Sequence, residues 1–266
     1  MPRFAANLTF QFNEVPFLDR FAAAAAAGFP AVEFMFPYDH QPQEVEQKLK
    51  AAGVENVLFN LPAGDWAAGD RGLACVPGRE QEFRDGVAKA LKYAAVLGTP
   101  RLHAMSGIGV PVGDEKRALY ERTYVDNLRY AAEKLAEAGL TLVIEPINTR
   151  DMPGYFLNTQ AQAAEACDQV GKPNLKLQMD CYHMQIAEGD LSVKLRKYAD
   201  RCAHIQIAAV PDRHEPDHGE VNYAHIFALL DEIGYTGWIG CEYRPAGKTV
   251  DGLGWYKPWM KRGASA

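Results

Sequence analysis

Four segments in the second half of the chain share one design, and it limits the possible folds more than any other feature. Leu140 to Glu145, Leu175 to Asp180, Ala203 to Gln206 and Trp238 to Glu242 each read as a short β-strand that ends in an oxygen-bearing side chain. Within each, Val143, Gln178, His204 and Gly240 share the face of the polar terminus. Leu142, Ile144, Leu177, Met179, Ile205, Ile207, Ile239 and Cys241 take the opposite, apolar face. Successive polar ends are 35, 26 and 36 residues apart, each long enough for one strand, one helix and two loops. Parallel strands joined in this way present all their C-terminal ends on one side of a domain, so four oxygen donors converge there.

The same rhythm runs through the first half. Strands are expected at Phe4 to Asn7, Ala31 to Phe36 with Glu33 on the inner parity, Val54 to Asn60 and Arg101 to Met105. Helices are expected at Pro16 to Ala27, Pro42 to Ala52, Glu80 to Leu97, Glu115 to Ala138, Thr159 to Val170, Leu191 to Asp200 and Tyr223 to Ile233, several of them closed by glycine. A tail from about Asp251 completes an eightfold pattern. With 266 residues and no linker or composition break, the chain is predicted to be of the α/β class, a single (β/α)8 TIM barrel spanning 1–266. Leu61 to Arg79, after the third strand, is far longer than a usual βα loop and lies on the side of the carboxylates, as a lid or substrate-binding segment would.

Charge and composition exclude several classes of function. A net charge of −6 and the lack of Lys/Arg clusters argue against a nucleic-acid or anionic-membrane surface. No apolar run approaches the ~20 residues needed to span a bilayer. Met1 to Ala5 lacks the apolar core of a signal peptide, so a cytoplasmic location is expected. The five cysteines include no CxxC pair and read as small buried hydrophobes, with no zinc or disulfide role. Gly107 and Gly109 lack the third glycine and the strand-to-helix setting of a dinucleotide fingerprint, so no nucleotide cofactor is expected.

Glu145, Asp180, Gln206 and Glu242 supply only oxygen donors, which suit a hard divalent ion such as Mg²⁺ or Mn²⁺ better than zinc. An ion that grips a carbonyl and a neighbouring hydroxyl acidifies the adjacent C–H, and a nearby carboxylate can move the proton. With Glu145 and Glu242 as the catalytic pair, one removes a proton and the other returns one to the neighbouring carbon, an enediol isomerisation. His183, three residues past Asp180, is placed to reach a substrate oxygen. Arg213, in the loop from Ala208 to Glu220, is the best candidate to fork onto a substrate carboxylate.

Seven stretches together resemble the hydroxypyruvate isomerase family within the xylose isomerase-like barrels. They are FAANL at 4–8, VEFMFPY at 32–38, NLPAGDWAAG at 60–69, PGRE at 77–80, IEPIN at 144–148, QMDCYHMQ at 178–185 and GCEYRP at 240–245. The similarity runs nearly end to end. It implies interconversion of hydroxypyruvate and tartronate semialdehyde, with Glu145 and Glu242 as acid and base. It also implies a divalent ion among Glu145, Asp180, Gln206 and Glu242, a small anionic oxo-acid substrate bound near His183 and Arg213, and a homo-oligomer.

Residues 208–216 and the opening 1–8 look more like the sister 2-oxo-tetronate isomerases, which act on a four-carbon acid, so both substrate lengths stay open. Related ketose 3-epimerases usually carry His where Gln206 stands, and related DNA-repair endonucleases use several zinc ions and a basic surface. Neither feature is evident. A non-catalytic binding barrel is the remaining alternative, separable by a screen for metal-dependent isomerase activity.

Overall fold

The computed structural model describes residues 2–260; Met1 and residues 261–266 of the expected 1–266 domain lie outside the described residues. Eight parallel strands close into a barrel in sequence order: β1 (Arg3–Asn7), β2 (Ala31–Phe34), β3 (Glu55–Asn60), β4 (Arg101–His103), β5 (Thr141–Ile144), β6 (Leu175–Asp180), β7 (Cys202–Gln206) and β8 (Trp238–Cys241). Closure is direct, with Arg3 of β1 opposite Trp238 of β8 and Asn7 opposite Glu33 of β2. Between them run α1 (Phe17–Ala26), α2 (Pro42–Ala52), α3 (Glu80–Leu97), α4 (Arg117–Glu137), α5 (Gln160–Val170), α6 (Cys181–Ala187), α7 (Leu191–Tyr198) and α8 (Tyr223–Glu232).

The period-two reading explains the two cores. Ala5, Ala31, Val57, Leu58, Val143 and Trp238 form the small inner cluster of the barrel. Ile144, Leu177, Met179, Ile205, Ile239 and Cys241 face outward into the much larger layer beneath the helices. Burying each such side chain contributes on the order of 1.5–3 kcal/mol, so this outer layer dominates stability. Among the described residues no helix is long and apolar enough to cross a membrane.

Two elements differ from expectation. α6 was not foreseen: it begins at the residue after β6, and the Asp180 carboxylate caps it by accepting the Tyr182 N–H at 2.8 Å. The eighth unit ends in a 3-10 stretch (Thr249–Trp255) and the one-turn α9 (Lys257–Met260) instead of a full helix. Aromatic packing compensates there. Phe4 meets Trp255, Tyr256 and Trp259 edge-on, and Phe29 stacks on Tyr256 with centroids 4.3 Å apart.

The long segment after β3 is a fixed wall of the barrel mouth. Gly72 pairs with Ser106 in an antiparallel bridge, at a φ of +112° where a Cβ would collide with the Met105 carbonyl. The Arg79 guanidinium grips both Asp70 oxygens at 2.7 Å, and Asn127 donates to the Ala74 carbonyl at 3.0 Å. Trp66 stands on the rim, tilted against Phe36 with centroids 5.5 Å apart.

Candidate active site

A cavity of about 490 Å³ opens at the C-terminal ends of the strands. Its floor is a ring to which every strand end contributes a polar residue: Asn7, Glu33, Asn60, His103, Glu145, Gln206 and Glu242 line it, and Asp180 lies fully buried beneath. Glu145 and Glu242 sit one residue past β5 and β8, where the chain leaves the ladder and the side chain turns to the barrel axis.

Three carboxylates and one imidazole meet here: ligand-type atoms of Glu145, Asp180, His183 and Glu242 lie within 4.8 Å of one another. Such crowding away from water disfavours negative charge. Burial, reinforced by Glu242 and Asp180, holds the Glu145 carboxyl well above the ordinary range. Burial also pushes Glu242 up to about 8 and Asp180 up to about 6, and the Arg213 guanidinium opposes both shifts.

His183 is separable from the carboxylates by its tautomer. Asn148 Oδ1 accepts the Asp151 N–H at 2.8 Å, which turns the amide NH₂ to His183 Nδ1 at 2.6 Å. The neutral imidazole assigned by this network therefore carries its proton on Nε2. Burial, reinforced by the nearby Arg213 charge, keeps it neutral by lowering its pKa well below the usual value. Nε2–H faces Asp180 Oδ2 at 3.6 Å and Arg213 Nη2 at 3.3 Å, so two donors converge on one point. With this tautomer His183 presents an N–H to the carboxylate cluster.

Three of the expected oxygen donors, Glu145, Asp180 and Glu242, gather with His183 in a buried cluster that could hold a metal ion. Glu145 Oε1 and Asp180 Oδ2 are buried with no hydrogen-bond partner among the described residues, a costly arrangement that a cation would relieve. Gln206 Oε1 accepts from Gln178 Nε2 at 2.7 Å and keeps a second lone pair, while Gln206 Nε2 donates to Glu33 at 2.7 Å. Glu242 Oε1 receives Asn7 Nδ2 at 3.4 Å and Oε2 receives Arg213 Nη2 at 2.6 Å.

Arg213 reaches the site from the loop after β7. Its side chain is only 11% exposed and lies 3.8 Å from Asp180 and 3.7 Å from Asp151. Burial works against its charge, but Glu242, Asp180 and Glu145 outweigh that and raise its pKa. The residue adopts a left-handed φ of 57°, which hydrogen bonds from its N–H to Ala209 O at 2.9 Å and from Arg244 N–H to its carbonyl at 2.8 Å hold in place.

Several residues escaped the sequence reading. Glu33 is the hub: it receives His204 at 2.6 Å, Gln206 at 2.7 Å and Asn7 at 2.8 Å, and Gly240 makes room, since a Cβ there would strike its carboxylate. The inner parity of Glu33 was the available signal. His103, which burial lowers to about 3, approaches Glu145 at 3.9 Å. Asn148, whose amide fixes the His183 tautomer, also had no assigned role.

Residues 21–259 match the family model described as "Xylose isomerase-like TIM barrel". The chain is 56% identical over 262 residues to 2-oxo-tetronate isomerase of Cupriavidus necator, covering 98% of this chain and 100% of that protein. It is 48% identical over 259 residues to hydroxypyruvate isomerase of Escherichia coli, covering 97% and 100% respectively. Among solved structures, one described as an AP endonuclease, family 2, from Brucella melitensis superposes with a TM-score of 0.94 at 53% identity, covering 97% of this chain and 99% of that one. By full-length identity to named isomerases and by the barrel itself, this chain belongs to the xylose isomerase-like TIM barrel family and is an isomerase.

Proposed function

We propose that the chain interconverts hydroxypyruvate and tartronate semialdehyde, with Glu145 and Glu242 as the acid–base pair. The observation that carries this reading is the placement of two proton-holding glutamates around one buried oxygen cluster, beside two converging donors. A carbonyl oxygen arriving between His183 Nε2–H and Arg213 Nη2 would accept from both, which fixes the reacting carbons against the glutamates. One glutamate takes the proton from C3 as the C2 carbonyl becomes an enol, and the other delivers a proton to C2. The C3 hydroxyl loses its proton to become the aldehyde, and the C2 oxygen gains one to become the hydroxyl, so the atoms balance.

Glu145, Asp180, Gln206 and Glu242 would hold a divalent cation, Mg²⁺ or Mn²⁺ by the hardness of their oxygens. When bound, it polarises the substrate carbonyl and acidifies the adjacent C–H. The four-carbon reading is favoured by the name of the 56% identical relative. A 2-oxo-3-hydroxy acid of four carbons reacts at the same two atoms.

Removing metal tests the ligand assignment. Exhaustive chelation should abolish turnover of hydroxypyruvate and of the four-carbon acid, and added Mg²⁺ or Mn²⁺ should restore it. Full activity in protein verified as metal-free by elemental analysis would remove the cation from the mechanism.

A further inference from the structure

Three guanidinium groups line the cavity, those of Arg71, Arg213 and Arg244. The first two are already committed. Arg71 Nη1 donates to the carbonyls of Trp66 at 3.0 Å and Asp70 at 2.6 Å, and the group lies 4.1 Å from the Trp66 ring. Arg213 Nη2 is held by Glu242, and its buried Nε lacks a hydrogen-bond partner among the described residues.

Arg244 is different. It follows Glu242 by two residues, so the strand end that delivers the glutamate also delivers this cation to the mouth. Its backbone is pinned on both sides, through its N–H to Arg213 O at 2.8 Å and its carbonyl to His214 Nδ1 at 2.7 Å. Its guanidinium is exposed and forms no ion pair or side-chain hydrogen bond among the described residues. It rests 5.5 Å from the Phe10 ring, which the Arg213 guanidinium also approaches, to 5.1 Å. An aromatic platform of this kind narrows the positions of a planar cation while leaving its N–H fork free.

The electrostatics call for such a group. Glu33, Glu145, Asp151 and Glu242 line the cavity, and the guanidinium groups of Arg213 and Arg150 are already paired against Glu242 and Asp151. An anionic substrate entering that field needs a cation that the protein's own acids have not consumed.

We propose that Arg244 is the specificity-determining cation, its fork holding the substrate carboxylate at the mouth together with the Nε–H of Arg213. The inference rests on the 2-oxo acid reading above. In both the three-carbon and four-carbon acids the carboxylate adjoins C2, so one cation serves both and sets them apart from neutral ketoses.

The test uses Arg244→Leu and Arg244→Lys in the Mg²⁺-loaded, full-length protein. The Leu variant should raise KM for hydroxypyruvate about 10-fold or more, the range of a charge-assisted hydrogen bond, with kcat within about threefold of wild type. Lys should recover part of the loss, and kcat/KM of the Leu variant should depend less on ionic strength. An unchanged KM in the Leu variant would overturn the proposal. Calorimetric binding of glycerate, which carries the carboxylate but cannot isomerise, separates this from the functional reading. If wild type turned over neither acid yet bound glycerate 10-fold more tightly than the Leu variant, the reaction assigned above would fall and the carboxylate site would stand. Equal glycerate affinities would sink Arg244 in either case.

Discussion

Glu145→Gln and Glu242→Gln should each lower turnover of hydroxypyruvate by about 10² or more, the usual loss when a general acid or base is removed. Glutamine keeps the shape and the carbonyl oxygen of each side chain but cannot exchange a proton. The fold should survive, because both residues lie past the ends of their strands and outside the apolar layers. The metal-free Glu145→Gln variant, which leaves the Arg213–Glu242 pair intact, should even melt higher than wild type. Burial, reinforced by Glu242 and Asp180, holds the Glu145 carboxyl well above its ordinary range, so the folded state resists an ionisation that the unfolded chain undergoes freely, a cost that an amide does not carry. That cost is absent below the unfolded carboxyl pKa, grows as pH rises above it and levels off once the folded value is passed, so the difference in Tm should widen as pH is raised from 5. Steady-state kinetics and thermal melts on the same preparations check both halves. Near-normal turnover in either variant would remove that glutamate from the proton transfer.

Arg213→Leu should be damaging in a different way. Its guanidinium is the buried counter-charge to Glu242 and Asp180, and truncating one partner of a buried pair leaves uncompensated charge worth about 3–5 kcal/mol. KM for 2-oxo acids should rise about 10-fold to 100-fold, because the Nε–H and one of the two donors that converge with His183 are lost. Turnover should fall as well, and its pH dependence gives the sign. Arg213 holds the Glu242 and Asp180 carboxyls down against burial, so without it both titrate at higher pH and the basic form appears later. The rising limb of the kcat profile should therefore move to higher pH. Kinetics on hydroxypyruvate, a four-carbon 2-oxo acid and a neutral ketose measure this. A variant with wild-type KM and pH profile would return Arg213 to a purely structural loop role.

The barrel was legible because period two and helix-sized spacing are local properties. Leu142, Ile144, Leu177 and Met179 face the helices and Val143 faces the interior, as alternation requires. The polar ring was only half visible. Glu145, Asp180, Gln206 and Glu242 stand out because apolar runs precede them, whereas Asn7, Asn60 and His103 are individually ordinary strand endings. Their meaning appears only once the barrel closes, since Glu33 meets His204 across 171 residues and Asn7 meets Glu242 across 235. No periodicity encodes such pairs. The helix after Asp180 was hidden for a related reason: it has no loop before it, and its cap is the same carboxylate that marked the strand's end.

The role of Arg213 was harder to read than its position. A loop arginine in an acidic chain is expected to be solvated, yet this one is buried and spends one nitrogen on Glu242. Sequence spacing could bring a cation to the mouth but could not show which acid would claim it. Arg244 went unassigned for the converse reason: it sits in a stretch already explained by Glu242, and its lack of a partner shows only in three dimensions.

Isomerisation of hydroxypyruvate in D₂O by the Mg²⁺-loaded protein, followed by NMR at early times before uncatalysed exchange, tests the two-glutamate proton transfer most directly. If one carboxylate removes the C3 hydrogen and a different one protonates C2, the first tartronate semialdehyde formed carries deuterium at C2. Product that retains the substrate's hydrogen at C2, as a direct hydride shift would give, or no interconversion by folded, metal-loaded protein, would contradict it.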